Sequence, residues 1–526
     1  MRRQPGGRPR KSAKTKAGNK PRGHKPNDRR ERRLARNTPE IELQIDRIGS
    51  RGDGVGNARY TVDYETKDRA VFVPASLVGE VVRVRPTTLN AQGLTAELIE
   101  LIRPSVHRTS PACDVFGNGN GCGGCSFQHV DEAGYRALKD EQFTGVLERA
   151  GIDRHSGLIR PPIWTPMAGR RRARLSYRRT AEALVIGFAG RGSHFIYELT
   201  SCGVLAPALK ALIGRLKDWA EPCFSPSATG QMAVNMLAGG ADILVRPDQE
   251  MTPDEITRLS ERAAAAGLAR LSVRTNEAAA PLLLIEAGSC HLHQDKTVGG
   301  ACLQPPPGSF LQASAQGETA LVKTVLEAVF GPDEGPGEQA DAPDVNVVDF
   351  YCGAGTFSLA LLARGVQLAG YEADKAALDG LVAAARNAGF GNRVSAHQRD
   401  LAAAPVRAEE LEEADILLLD PPRQGASAQV AELARLAERR QADTCLPTPV
   451  ILPKIIMVSC NPHTAVRDIA VLTAAGWAVS FIQMVDQFVR TAHSELVACL
   501  IWPELPEKSG PERRDPEKSG PEWKQA

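Results

Sequence analysis

The chain carries a cysteine where a nucleophile would be expected. Ile455-Ile-Met-Val-Ser459 reads as a buried strand, and Cys460-Asn461-Pro462 turns sharply away from its end. Packed alone, such a cysteine is a small hydrophobe. As a thiolate at the carboxyl edge of a parallel sheet it is a nucleophile. One chemistry in particular needs it. C5 of a uracil ring is a poor nucleophile, but a thiolate adding at C6 turns C5 into an enolate carbon that can accept a methyl group. A base must then remove the C5 proton before the thiolate can leave. Glu495, just ahead of the apolar stretch Leu496-Val-Ala-Cys499, is the candidate base, and His493 a weaker candidate with an orienting role. Asp415-Ile-Leu-Leu-Leu-Asp420-Pro-Pro-Arg423 ends another buried strand in a carboxylate, Asp420, with two prolines stiffening the loop.

These groups must be positioned by strands that alternate with helices. From about residue 301 to 503 the pattern is strand, glycine loop, helix, strand, repeated, which implies an α/β parallel sheet covered on both faces. Val345-Asn-Val-Val-Asp349-Phe-Tyr351 runs into Cys352-Gly353-Ala-Gly355-Thr and a helix from Phe357 to Ala363. The fingerprint is G-x-G-x-x-S, without the third glycine of a dinucleotide site, so a nucleoside without a pyrophosphate is expected there. Glu372, nineteen residues after Gly353 at the end of the next strand, suits a ribose diol. Asp400, beyond the strand after that, is placed toward the adenine side. S-adenosyl-L-methionine fits this description.

Ahead of that domain, Glu40 to Arg103 shows short alternating strands separated by glycine turns, the signature of a small β-barrel. Residues 104–300 read as a mixed α/β region with a cysteine cluster. Eight residues separate Cys113 from Cys122-Gly-Gly-Cys125, and seventy-six separate Cys125 from Cys202. A C-x2-C pair with a third cysteine nearby and a fourth distant holds zinc or an iron–sulfur cluster, and spacing alone leaves both open. The remaining cysteines of the eleven are scattered. Gly169-Arg170-Arg171-Arg172-Ala-Arg174-Leu-Ser-Tyr177-Arg178-Arg179 is the densest basic run outside the tail and is expected to contact RNA, with Arg170, Arg172 and Arg174 on one face.

The net charge of +2 hides an asymmetry. Fifteen Lys/Arg lie between Arg2 and Arg36, against only Asp28 and Glu31, so residues 1–38 form a basic arm expected to be disordered and drawn to polyanions. Residues 504–526 repeat Pro-Glu-Lys-Ser-Gly-Pro-Glu and are also expected to lack a core, as is the acidic segment from Gly331 to Asp344. Met1-Arg2-Arg3 is not followed by an apolar stretch and no run reaches the ~20 apolar residues of a membrane span. A cytoplasmic monomer is expected, with its cysteines free of disulfides.

Taken together, Phe310-Leu-Gln312, Asp349-Phe-Tyr351-Cys-Gly-Ala-Gly-Thr, Asp420-Pro-Pro-Arg423, Ser459-Cys460-Asn-Pro and His493-Ser-Glu495 resemble the bacterial RNA uracil-C5 methyltransferases. The likeness covers roughly residues 40–503. It is greatest for the 23S rRNA branch with a TRAM domain, an OB-like module to which Asp46–Gly56 and Val73–Val82 are similar. The resemblance implies a Rossmann-like class I methyltransferase domain (301–503), an N-terminal barrel (39–103) and a central domain (104–300). It implies Cys460 as nucleophile and Glu495 as proton acceptor. It implies Gln312, Tyr351, Glu372 and Asp420 at the cofactor, and Phe310 near a flipped base. It also implies a [4Fe–4S] cluster on Cys113, Cys122, Cys125 and Cys202. Two departures stand out: Ala313-Ser314 follows Gln312 where a second amide is expected, and Gln441 to Lys454 is an insertion before the catalytic strand. The competing expectations are a tRNA uridine-C5 enzyme, and an RNA-binding or ribosome-assembly factor with a vestigial cofactor site.

Overall fold

The computed structural model describes residues 32–503 apart from 63, 118–120, 192, 194, 200, 277–278, 333–344 and 443–451. The basic arm up to residue 31, the tail from 504, most of the acidic segment and most of the insertion therefore lie outside the described residues.

The catalytic sheet has eight strands. Its order is Val394–Gln398, Gln367–Glu372, Asn346–Phe350, Ile416–Leu419, Lys454–Ser459, Glu495–Ile501, Ala478–Asp486 and Ile159–Trp164. The first five are parallel, and Glu495–Ile501 runs antiparallel to both its neighbours. The strand order reverses between Asn346–Phe350 and Ile416–Leu419, the place where open α/β sheets bind ligands. Both faces are covered. Phe357, Leu361 and Leu381 fill one side, and Val430, Leu433, Ile469 and Leu472 fill the other.

The eighth strand, Ile159–Trp164, comes from the stretch assigned to the central domain and pairs in parallel with Ala478–Asp486. The helix before it, Glu132–Arg149, buries Phe143 and Leu147 in the same core as Val430 and Leu472. The 104–300 region is thus not one unit, since part of it completes the catalytic domain.

The central sheet orders Ile196–Glu198, Leu184–Ala189, Arg172–Arg179, Thr229–Leu237, Gly240–Pro247, Arg270–Val273 and Leu282–Glu286. Helices Pro207–Ala220 and Pro253–Ala265 cover one face. In Arg172–Arg179, Ala173, Leu175 and Tyr177 point into that core, so Arg172, Arg174 and Arg178 lie on the opposite face.

Residues 32–103 form a third, seven-stranded sheet around Leu43, Ile45, Val71, Val73, Val82, Val84 and Leu94. No ladder among the described residues joins the two ends of its order, Arg32–Arg33 and Arg47–Ile48. No helix among the described residues is long and apolar enough to cross a membrane.

Candidate active site

Cys460 follows a strand buried from Ile455 to Ser459 and precedes helix Pro462–Ala474. Asn461 caps that helix by accepting from His463 N, and its Nδ2 donates to the Arg423 carbonyl at 3.0 Å. Thr464 Oγ1 donates to the same carbonyl at 3.3 Å. The Asp420-Pro-Pro-Arg423 loop is in this way fastened beside the cysteine, and the Arg423 guanidinium acts on the Cys460 thiol in the direction of the thiolate. Gly425 closes the loop with φ +81°, and a Cβ there would come within 2.6 Å of Asp468 Oδ2. That oxygen accepts from Ala426 N at 2.8 Å.

Two carboxyl groups and one guanidinium flank the thiol. Burial pushes Cys460 up to about 11, with the carboxylates of Glu495 and Asp420 adding to the rise and Arg423 opposing it. Glu495 is 3% exposed. Burial raises it to about 7, against the hydrogen bond from Gln487 and the charges of Arg172 and Arg423. Asp420 is raised well above the carboxylate range, first by burial and then by Glu495, Asp349 and Glu372. His493 is lowered to about 4 by burial and by nearby cations, and its ring meets Phe488 edge-on.

Gln312 is buried, and its Oε1 accepts from Gln487 Nε2 at 2.8 Å. The same Nε2 donates to Glu495 Oε1 at 2.9 Å, while Gln487 Oε1 accepts from Ala313 N. An amide does stand beside Gln312, but it is supplied by Gln487 and not by the next residue in sequence. Gln312 is thereby joined to the Glu495 side of the crevice.

At the glycine turn, Gly353 N donates to Glu372 Oε2 at 3.1 Å, and Glu372 Oε1 accepts from Asp374 N. Gly353 has φ +54° and nothing within 4 Å of where a Cβ would stand, so the turn faces open space. Tyr351 also sits in the left-handed region at φ 63°, a strain of the kind found at ligand sites. Asp400 is exposed, and its Oδ1 accepts from Ala402 N. Asp349 is completely buried, raised to about 7 by burial, and bonded to Ser358 Oγ.

Cys113, Cys122, Cys125 and Cys202 line a single cavity together with Arg170, Gln128, Gln487 and Thr491. Burial, with a smaller push from the other three thiols, takes Cys125 up to about 11 against the hydrogen bond from Gln128. No three of these side chains close to the spacing of a one-ion site among the described residues. The basic run divides three ways. Arg171 is buried, paired with Glu318 and bonded to the Gln312 carbonyl. Arg170 faces the cysteine cavity. Arg172 lies 4.0 Å over the ring of Phe310, which is 61% exposed. The expected shared face of Arg170, Arg172 and Arg174 is therefore corrected to Arg172, Arg174 and Arg178, because the strand begins only at Arg172.

Residues 313–501 match the family model for tRNA (uracil-5-)-methyltransferases. An uncharacterised RNA methyltransferase of Rhizobium meliloti is 32% identical over 468 residues, covering 87% of this chain and 98% of the relative. The 23S rRNA (uracil(1939)-C(5))-methyltransferase of Chromohalobacter salexigens is 31% identical over 87% of this chain and 88% of its own length. The chain belongs to the RNA uracil-C5 methyltransferase family. The fold of this methyltransferase is shared with the Pyrococcus abyssi tRNA (uracil-54, C5)-methyltransferase solved with S-adenosyl-L-homocysteine. The TM-score is 0.59 at 20% identity, covering 88% of this chain and all of that one. Sequence reasoning passed over Arg423, although it completes the Asp-Pro-Pro motif it had singled out. It also passed over Gln487, which has no local motif.

Proposed function

We propose that this RNA uracil-C5 methyltransferase acts on a uridine of 23S rRNA through a covalent Cys460–C6 adduct, with Glu495 removing the C5 proton. One observation carries the mechanism: the Cys460 thiol lies among Arg423, Asp420 and Glu495 at the carboxyl edge of the sheet. Glu495, raised to about 7, is a base matched to neutral pH. Arg423 is the cation that favours the thiolate. Once C5 carries its methyl group, Glu495 takes the proton and Cys460 leaves. The 23S rRNA target is supported by the C. salexigens relative, which matches over nearly its full length.

The methyl donor proposed is S-adenosyl-L-methionine. The open face at Gly353, the Glu372 carboxylate tied to that turn and the strained Tyr351 fit an adenosyl group. With Gln312, Asp400 and Asp420 they would hold it, and when bound it supplies the electrophilic methyl carbon. The four thiols of the other cavity fit a [4Fe–4S] cluster. Such a cluster keeps its thiolates further apart than a single ion does, and its cations would relieve the mutual repulsion that burial imposes on them.

RNA carrying 5-fluorouridine tests the mechanism, because fluorine cannot be removed as a proton and the adduct is trapped. Native protein should form a complex that survives denaturing electrophoresis and Cys460→Ala should not. An alanine variant that still traps the RNA would refute the role of Cys460.

A further inference from the structure

We propose that Lys139 and Tyr135, acting through Asp486, are positioning residues for Glu495, an inference that rests on the role given to Glu495 above. Strand Ala478–Asp486 leads into a connection, 487–494, that returns as strand Glu495–Ile501. The two strands pair with Val485 opposite Glu495, so the connection starts and ends at the base. Its first residue, Gln487, donates to the Glu495 carboxylate.

Helix Glu132–Arg149 grips that connection at several points. Lys139 is 1% exposed. Its Nζ donates to the carbonyls of Thr491, at 3.2 Å, and His493, and lies 3.0 Å from Asp486 Oδ1 as an ion pair off the line of a hydrogen bond. Tyr135 OH donates to Asp486 Oδ2 at 2.5 Å and accepts from Arg490 N at 2.9 Å. The Arg490 guanidinium lies over the Tyr135 ring and donates to Val130 O at 2.7 Å. Arg490 itself is held at φ 61°, a conformation that persists only where neighbours impose it.

A buried ion pair is weak evidence for stability, since apolar side chains of similar size could fill the same space. This pair fixes direction. Two of the lysine's N–H groups meet carbonyls while its charge faces the Asp486 carboxylate, and those carbonyls belong to the chain just ahead of Glu495. Neither Lys139 nor Tyr135 touches Cys460, Glu495 or Asp420 through any hydrogen bond or ion pair described. Their effect on the reaction passes through the connection.

The test uses full-length holoenzyme, RNA with natural uridine and the methyl donor, and follows turnover and the denaturation-resistant enzyme–RNA adduct. Glu495→Gln should accumulate the C5-methylated adduct, because the C5 proton stays and the Cys460–C6 bond cannot break. Lys139→Met should accumulate the same adduct, with kcat lower by about 10- to 100-fold and KM for RNA little changed. Tyr135→Phe keeps the ring packing and should lower kcat by about 3- to 10-fold in the same way. It carries the test alone if Lys139→Met does not fold. Tyr135→Phe in the Glu495→Gln background should change nothing further. Full kcat, or a loss that falls on KM without adduct, in a folded Lys139→Met or Tyr135→Phe protein would overturn the proposal. Absence of adduct in Glu495→Gln would instead remove the base assignment itself.

Discussion

At the scale of single residues, the two groups proposed to react are held in protonation states that favour rising pH. Cys460 is pushed up to about 11, so near neutrality the free protein carries a thiol, and only the thiolate adds to C6. Trapping of 5-fluorouridine RNA should therefore quicken about tenfold per pH unit between pH 6 and 8, since the thiolate fraction grows by that factor below the pKa. A flat profile would place the deprotonation elsewhere. Arg423→Met should slow trapping at every pH, because it removes the cation that favours the thiolate and leaves two carboxyl groups beside it. An unchanged trapping rate would show that Arg423 serves only the loop. The positions of Cys460 and Glu495 at strand ends were legible in the sequence because each stands next to an apolar run and its own local motif. Arg423 was written in the same motif as Asp420, yet its role appears only when the Asn461 and Thr464 bonds to its carbonyl bring it back to the cysteine.

At the scale of elements, strand positions were readable from apolar runs. The Asn346–Phe350, Gln367–Glu372 and Ile416–Leu419 strands fall inside the expected stretches, with the helix after the glycine turn at Ser358–Leu362. What the sequence hid were partners far apart along the chain. Tyr135 and Asp486 are separated by 351 residues, and no local pattern announces their bond. The arginine run was misread for a related reason. Alternation gives a shared face only inside a strand, and Arg170 lies before the strand begins. The loop after Asp420 depends on Gly425, whose positive φ and crowded Cβ position exclude a side chain. Gly425→Ala should lower Tm by a few degrees and slow adduct formation, read by thermal denaturation and trapping together. A variant as stable and as fast as native would mean the loop adjusts freely.

At the scale of the whole molecule, the three large sheets of the described residues divide the work, but the eight-stranded one borrows an element from upstream. Helix Glu132–Arg149 packs Leu147, fully buried, against the catalytic core. Leu147→Ala should cost about 2–5 kcal/mol. Chemical denaturation would measure it, and a neutral result would show that the helix is not part of that core. The outer face of the central sheet offers Arg174 and Arg178, both exposed, on the same strand as the Arg172 that lies over Phe310. Replacing both with Gln should reduce the dependence of log affinity for RNA on log salt by up to about 2, near one unit per phosphate contact. An unchanged slope would take RNA off that face. The proposed methylation of uridine C5 in 23S rRNA is tested by supplying labelled S-adenosyl-L-methionine with unmodified 23S rRNA or unmodified tRNA and digesting each to nucleosides. Labelled 5-methyluridine is expected from the 23S rRNA. Label in tRNA alone would contradict the proposed target, and no 5-methyluridine from either RNA would contradict the chemistry assigned to Cys460 and Glu495.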